Sequence, residues 1–466
     1  MVKAISRALR FPIHLSLRSE AHFLLAHKRL EPMNFKPLFV FWVACLAALP
    51  HKSASAEDWM RFLGSSGNAT AETVVPTTWS SSSNLKWRTA LPGPGASSPI
   101  VVGDRIYLTC YTGYGDGSEG SPEDLLRHLI CFNRADGSIL WKKEIRNPPG
   151  ADEDPYKGYI THHGYATNTP ISDGKRIFAF FGRPGLFAFD LDGNQLWHRP
   201  IESKVSKTRW GSAASPIFYK DKLILNAVEE NGHIYSINQS DGTIDWEFDT
   251  KSSLVYATPN LLQTSEGQWE LVVPAPEKVF GLDPETGKEK WTAKTSLLNE
   301  MNGAVIVDGD TAYMFGGFRG VGSLAVRGGG SGDVTDSHVV WTSKDTSYIS
   351  TPALKDGYLY WQDLSGIAYS MKAETGERIG RRRISGVEGG RGVKFFASAI
   401  VSGEHVIVVS RTSGAFVFKA TPEFPLVAHN TFENDDSQFN GTPAISNGQM
   451  FLRSNKYLYC VSPSSK

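Results

Sequence analysis

The sequence predicts an all-β chain folded as an eight-bladed β-propeller of four-stranded blades, and three observations carry that prediction. A strand–turn–strand unit ending in Trp recurs along the chain. A Ser/Thr-Pro pair opens a short apolar strand ahead of most units. A lone Trp-bearing strand stands before the first unit, while the last unit lacks one. Self-similarity of this period means stacked supersecondary units, not the roughly three domains that length alone suggests.

Taken in order, Leu85-Lys86-Trp87-Arg88 has the pattern of a fourth strand. The first full unit opens at Ser98-Pro99, passes through RIYLTCY (105–111) and ends in LICFNRADGSILW (129–141). The second runs from Thr169-Pro170 through RIFAFF (176–181) to LFAFDLDGNQLW (186–197). The third runs from Ser215-Pro216 through KLILNA (222–227) to IYSINQSDGTIDW (234–246), and the fourth from Thr258-Pro259 to VFGLDPETGKEKW (279–291). Later units are degenerate. The fifth, from Gly303-Ala304, carries a Gly-rich insertion before Trp341. The sixth, from Thr351-Pro352, has Gly380 where Trp is expected. The seventh, from Ser398-Ala399, keeps its strand (415–428) but loses the turn, and the eighth, from Thr442-Pro443, stops after YLYCVS (457–462). Asp-Gly at 136–137, 192–193 and 241–242, with Thr-Gly at 286–287, suits hairpin turns that need positive φ. Pairing the N-terminal strand into the last unit closes a ring and hides both sheet edges.

The first segment does not belong to that fold. Residues 1–36 are basic without apolar periodicity, residues 37–50 form a short uncharged apolar run, and Ser53-Ala54-Ser55-Ala56 follows. This is the pattern of a secretory signal cut after Ala56, with Met33 as the expected start. The expected organisation is a leader over 1–56, a lead-in over 57–84 and the propeller over 85–466.

The whole chain has 48 Lys+Arg against 48 Asp+Glu, but residues 1–56 hold eight basic and two acidic residues, leaving 40 against 46 beyond them. A mildly acidic domain argues against a nucleic-acid partner or an anionic-membrane surface, and no transmembrane segment is expected after cleavage. Three cysteines follow the leader, Cys110, Cys131 and Cys460. Buried packing is the expected role of Cys131 and Cys460, which share the small-residue position of Ala188 and Ser236; a local Cys110–Cys131 bridge stays open. No Cys-x-x-Cys or Cys-x-x-Cys-His occurs, which sets aside a zinc ribbon and covalent haem.

Gly281-Leu282-Asp283, Thr286-Gly287 and Trp291 resemble the docking motif of the PQQ-like (quinoprotein-type) eight-bladed β-propeller repeat family, and the resemblance covers nearly all of the chain after the leader. It implies that Trp87, Trp141, Trp197, Trp246, Trp291 and Trp341 wedge between neighbouring blades. The family includes pyrroloquinoline quinone (PQQ) alcohol dehydrogenases and a cofactor-free lipoprotein propeller of the outer-membrane barrel-assembly machine. It also includes secreted uncharacterised propellers of environmental bacteria, which the stretches 163–170 and 439–460 resemble. The resemblance brings PQQ with calcium into consideration as a cofactor. This chain lacks the adjacent cysteine pair of the dehydrogenases, and it is shorter.

In a propeller, turns between second and third strands share a face with the connections between blades. Those turns hold Arg183, Glu229 with Glu230, Glu277, Arg319, Asp363, Arg411, and Arg453 with Lys456. Such a ring of mixed charge suits a polyanionic or polyhydroxylated ligand; equally, hairpin tips are exposed and exposed residues are charged. Trp210 adds either a stacking surface or a core side chain. The insertion at 147–170 brings Asp152, Glu153, Asp154, His162 and His163 to the same face. His163 is the candidate catalytic base, against a default of a hydrogen-bonded loop histidine. Adjacent histidines on an extended segment point opposite ways, and no metal site is assigned. The expectation is an exported, monomeric, non-enzymatic binding or scaffold propeller, periplasmic or extracellular in a bacterium, with a protein or glycan partner on its loop face. The alternative is a PQQ-dependent oxidoreductase acting on alcohols or sugars.

Overall fold

Eight sheets of short antiparallel strands make up the chain, in a ring of blades. The computed structural model describes residues 58–148, 163–203, 210–317, 322–388 and 392–463. The leader with its cut after Ala56, Arg319, His162 and the acidic residues 152–154 lie outside them. The first blade shows the plan: Ile100–Val102, Arg105–Thr112, Leu126–Asn133 and Ile139–Arg146 pair in sequence order from the channel outward. Its two middle strands are buried at nearly every position, whereas the outer strand alternates with solvent. That is the burial of a strand with blades on both faces against one at the rim.

The last blade contributes Ala444–Ser446, Gln449–Arg453 and Tyr457–Val461, and its outer strand is Leu85–Ala90, with Trp87 paired to Cys460. Two blades gain a fifth, parallel strand: Thr70–Ala71 beside Ile400–Ser402, and Gly332–Asp333 beside the outer strand Glu289–Lys294. The second of these comes from the Gly-rich insertion of the fifth unit. Among the described residues no helix is long and apolar enough to cross a membrane.

Each outer strand bulges where its Trp sits, and the Trp faces a small residue on the third strand: Cys131 for Trp141, Ala188 for Trp197, Ser236 for Trp246, Gly281 for Trp291 and Ala325 for Trp341. The space is limiting, since a Cβ on Gly281 would lie 1.9 Å from Trp291. Cys131 and Cys460 hold this same position, and all three described cysteines are buried free thiols. Apart from Trp291, each indole then reaches the next blade, as does that of Trp87. The Nε1 of Trp87 donates to the carbonyl of Arg134, Trp141 to Leu191, Trp197 to Gln239, Trp246 to Pro284 and Trp341 to Ala373, at 2.8–3.1 Å. The turn Gly of that next blade lies on the ring: Gly287 has φ +68, and a Cβ there would come 2.5 Å from Trp246.

Two blade junctions solve the same problem differently. After Trp291 the next blade has no matching turn, and the indole donates instead to Glu270 at 2.8 Å. That fully buried carboxylate is held by Lys290 at 2.7 Å and by the amide of Gly329. Where Gly380 replaces Trp, Ser370 Oγ donates to the carbonyl of Pro422.

The lead-in crosses the turn face of the ring before it reaches Leu85. Trp59 forms a reciprocal backbone bridge with Val101, and Met60 accepts from Ser172. Arg61 reaches Asn260, Asn68 bonds Val307, and Ala69 accepts from Val401. Trp59, Leu63, Ala69 and Ala71 are buried by the contacts. Burial also lowers the Arg61 guanidinium to about 10.

Candidate functional site

The Ser/Thr-Pro signature is the starting point. At four of these positions, and at the two unit starts without Pro, the backbone N–H of one blade donates to the hydroxyl of the next: Ser98 to Thr169, Thr169 to Ser215, Ser215 to Thr258, Ala304 to Thr351, Thr351 to Ser398 and Ser398 to Thr442, at 2.9–3.0 Å. The following Pro starts the innermost strand without needing a ladder hydrogen bond. A hydroxyl that accepts from backbone still has its own proton to donate. All six acceptor hydroxyls line one cavity of about 150 Å³ at the loop-face end of the channel.

Alternation on an extended strand puts the residue two before each hydroxyl on the same wall. Ala96, Thr167 and Ala213 come from the first three blades, and Tyr256, Ile349, Phe396 and Asn440 from later ones. Asn302 and Glu300 enter from the fifth unit and Tyr348 from the sixth. The small residues fall where loops enter. His163 and Trp210 fill that side, and they are joined directly: His163 Nε2 donates to the Trp210 carbonyl at 2.6 Å, while Nδ1 pairs with Thr167 Oγ1 at 2.6 Å. A carbonyl acceptor fixes the proton on Nε2. Phe62 of the lead-in also lines the cavity.

Behind Trp210 lies a buried carboxylate pair. Asn226 Oδ1 accepts from the amide of Val228, and the chain then makes one helical turn, Val228–Asn231, that turns Glu229 and Glu230 inward. Glu229 accepts from the amide of Gly211 at 3.1 Å and so holds the segment carrying Trp210. Glu230 borders a second, water-sized cavity with Arg127, Asn168, Arg183 and Ser212. Burial, reinforced by the charge of Glu229, pushes Glu230 up to about 8, so it is protonated at neutral pH.

The structure thus brings His163, Trp210 and Glu229 together and places Arg183 one cavity away. Arg411 stands behind the wall: it bonds Asn440 and Gln438, and its guanidinium lies 4.3 Å over Phe396. Asp363 binds its own turn, accepting from Ser365, Ile367 and Tyr369. Arg453 is fully buried in the seam between the last and first blades, donating to the Thr109 carbonyl at 2.7 Å. No Arg or Lys lines the loop-face cavity among the described residues. Reading the hairpin tips missed Tyr256, Asn302, Tyr348, Phe396 and Asn440. Stepping back two residues from each Ser/Thr-Pro pair finds two of these five, Tyr256 and Asn440; the same step from Ser398 finds Phe396.

Residues 126–381, more than half of the chain, match the family model described as outer membrane protein assembly factor BamB. A polyvinylalcohol dehydrogenase of a Pseudomonas species is 25% identical over 388 residues, 71% of this chain and 52% of that protein, so the chain spans about half the length of that curated relative. The crystal structure of BamB from Moraxella catarrhalis superposes with a TM-score of 0.55 at 13% identity, over 80% of this chain and 98% of that one. A quinohemoprotein alcohol dehydrogenase from Comamonas testosteroni gives 0.55 at 11% identity, over 88% and 81%. At these identities the structural likeness is one of fold.

Proposed function

This chain belongs to the BamB family of propellers, and from that premise we propose that it is an exported binding protein of the bacterial envelope. Its loop-face cavity takes a neutral, polyhydroxylated ligand of the glycan or polyol class. One observation carries the reading, the chemistry of the wall. Six hydroxyls and the amides of Asn302 and Asn440 supply donors and acceptors, while Tyr256, Tyr348, Phe396 and Trp210 supply rings. Alternating C–H faces and hydroxyls of a sugar match such a surface, ring on face and hydroxyl on rim. The name of the polyvinylalcohol-oxidising relative points to the same ligand chemistry.

The quinone cofactor implied by the resemblance does not fit these residues. PQQ carries three carboxylates, and the described lining opposes them with the Glu300 carboxylate and no guanidinium or ammonium. No group of three or more His, Cys, Asp or Glu side chains able to hold a metal ion occurs among the described residues. His163, spent on Trp210 and Thr167, positions the Trp210 segment.

Calorimetric titration tests the reading with cello-, malto-, manno- and xylohexaose and with short polyvinyl alcohol, alongside PQQ with calcium. The expected result is saturable binding of at least one neutral probe, weakened at least tenfold by Trp210→Ala. Saturable PQQ binding with a shifted quinone absorbance, and no neutral probe bound, overturns it.

A further inference from the structure

The loop-face cavity has a floor, and the floor is made by the chain's own lead-in. Phe62 lines the cavity, and its neighbours are tied to the innermost strands on several sides. Trp59 is bridged to Val101, Asn68 donates to Val307 at 2.7 Å, and Val401 donates to Ala69 at 2.7 Å. These bonds join blades on opposite sides of the ring, so the segment spans the channel instead of lining it. With the lead-in across its lower end, the cavity is closed below Phe62, and a ligand segment cannot enter on one side of the channel and leave on the other.

From this floor we infer that the cavity is a blind socket that reads the terminal unit of a polyhydroxylated chain, with the rest of the chain lying out over the loop face. This rests on the proposed ligand class and names the part of the ligand recognised. An open channel of the same wall chemistry would accept internal units. The lead-in removes that option, and Phe62 sets the depth at which the terminal unit stops, stacking under it as the rings of Tyr256 and Phe396 flank it.

The test uses the unaltered protein and the oligosaccharide series that binds in the hexaose panel, taken from disaccharide to hexasaccharide, together with the hexasaccharide blocked at each end in turn by a methyl glycoside or by reduction. The expected result is an affinity per mole of chain that changes less than twofold from tri- to hexasaccharide, and a loss of at least tenfold when one particular end is blocked. Affinity per chain that rises in proportion to length, with neither block mattering, overturns the inference and leaves the ligand class standing. Failure of every oligosaccharide and of polyvinyl alcohol to bind removes both. As a second readout, Phe62→Ala lowers the affinity of the shortest binding oligomer at least fivefold, with its melting curve checked against the parent; unchanged affinity in a folded variant counts against the floor.

Discussion

The two faces of the ring are built on opposite plans. On the turn face one contact repeats from blade to blade: an indole on a small residue, its N–H on the next blade's carbonyl, a Gly pressed against its ring. On the loop face nothing repeats except the ring of Ser/Thr hydroxyls, and each blade hangs a different side chain beside it. Repetition serves packing, because every blade must meet the next at the same angle. Variety serves recognition, because a ligand is not eightfold symmetric. Stability should therefore be concentrated on one face and specificity on the other.

The largest expected effect lies on the turn face. Trp246→Ala removes a buried indole, its hydrogen bond to Pro284 and its seat under Gly287, and should cost about 3–5 kcal/mol in chemical denaturation while leaving the cavity intact. Next comes Gly287→Ala. The φ of +68 and a Cβ 2.5 Å from Trp246 combine backbone strain with a clash, for about 2–3 kcal/mol. Its control is Gly309→Ala, where φ is +57 but nothing lies within 4 Å; a loss of about 1 kcal/mol there isolates the backbone share. Equal losses at both glycines would break the argument that indole contact is what the turn Gly protects.

On the loop face the substitutions themselves cost less near neutral pH. Glu230 stays protonated up to about 8 in the folded chain, against 4.5 ordinarily. Between those values the unfolded chain binds fewer protons than the folded one. The group's contribution is therefore full below 4.5, falls as pH rises and levels off above about 8, with a slope on the order of 1.4 kcal/mol per pH unit. Glu230→Gln should flatten the stability curve across that window, as followed by denaturation at stepped pH. Smallest is Thr351→Val, which leaves the amide of Ala304 unpaired at about 1 kcal/mol but alters the cavity wall. A loss as large as that of Trp246→Ala would mean the two faces share the structural burden.

This division explains what could be read in the sequence. The blades were legible because the Trp, the turn Gly and the Ser/Thr-Pro pair recur, and a repeat is its own confirmation. Cys131 and Cys460 could be placed by register alone, since both stand where Ala188 and Ser236 stand. Glu229 and Trp210 were within reach because their loops lie on the face that carries the connections. Arg453 and Asp363 stand at hairpin tips where a ligand contact is expected, yet one fills a seam and the other ties its own turn. Net charge at a hairpin does not say which way a side chain turns. The lead-in was opaque for a different reason: residues 58–72 bear no repeat, and Trp59, Phe62 and Asn68 acquire meaning only from strands that lie far along the chain. Glu270 under Trp291 was hidden likewise, because it replaces a contact that the Gly-rich insertion deletes.

The most direct test of the two-face account is hydrogen–deuterium exchange of the full chain with and without the neutral oligosaccharide that binds it. The account predicts protection confined to the segments carrying the wall, 163–169, 210–215, 254–258, 300–304, 346–351, 396–398 and 440–442, with the Asp-Gly and Thr-Gly hairpins unchanged. Protection centred on those hairpins, or spread evenly round both faces, would contradict it.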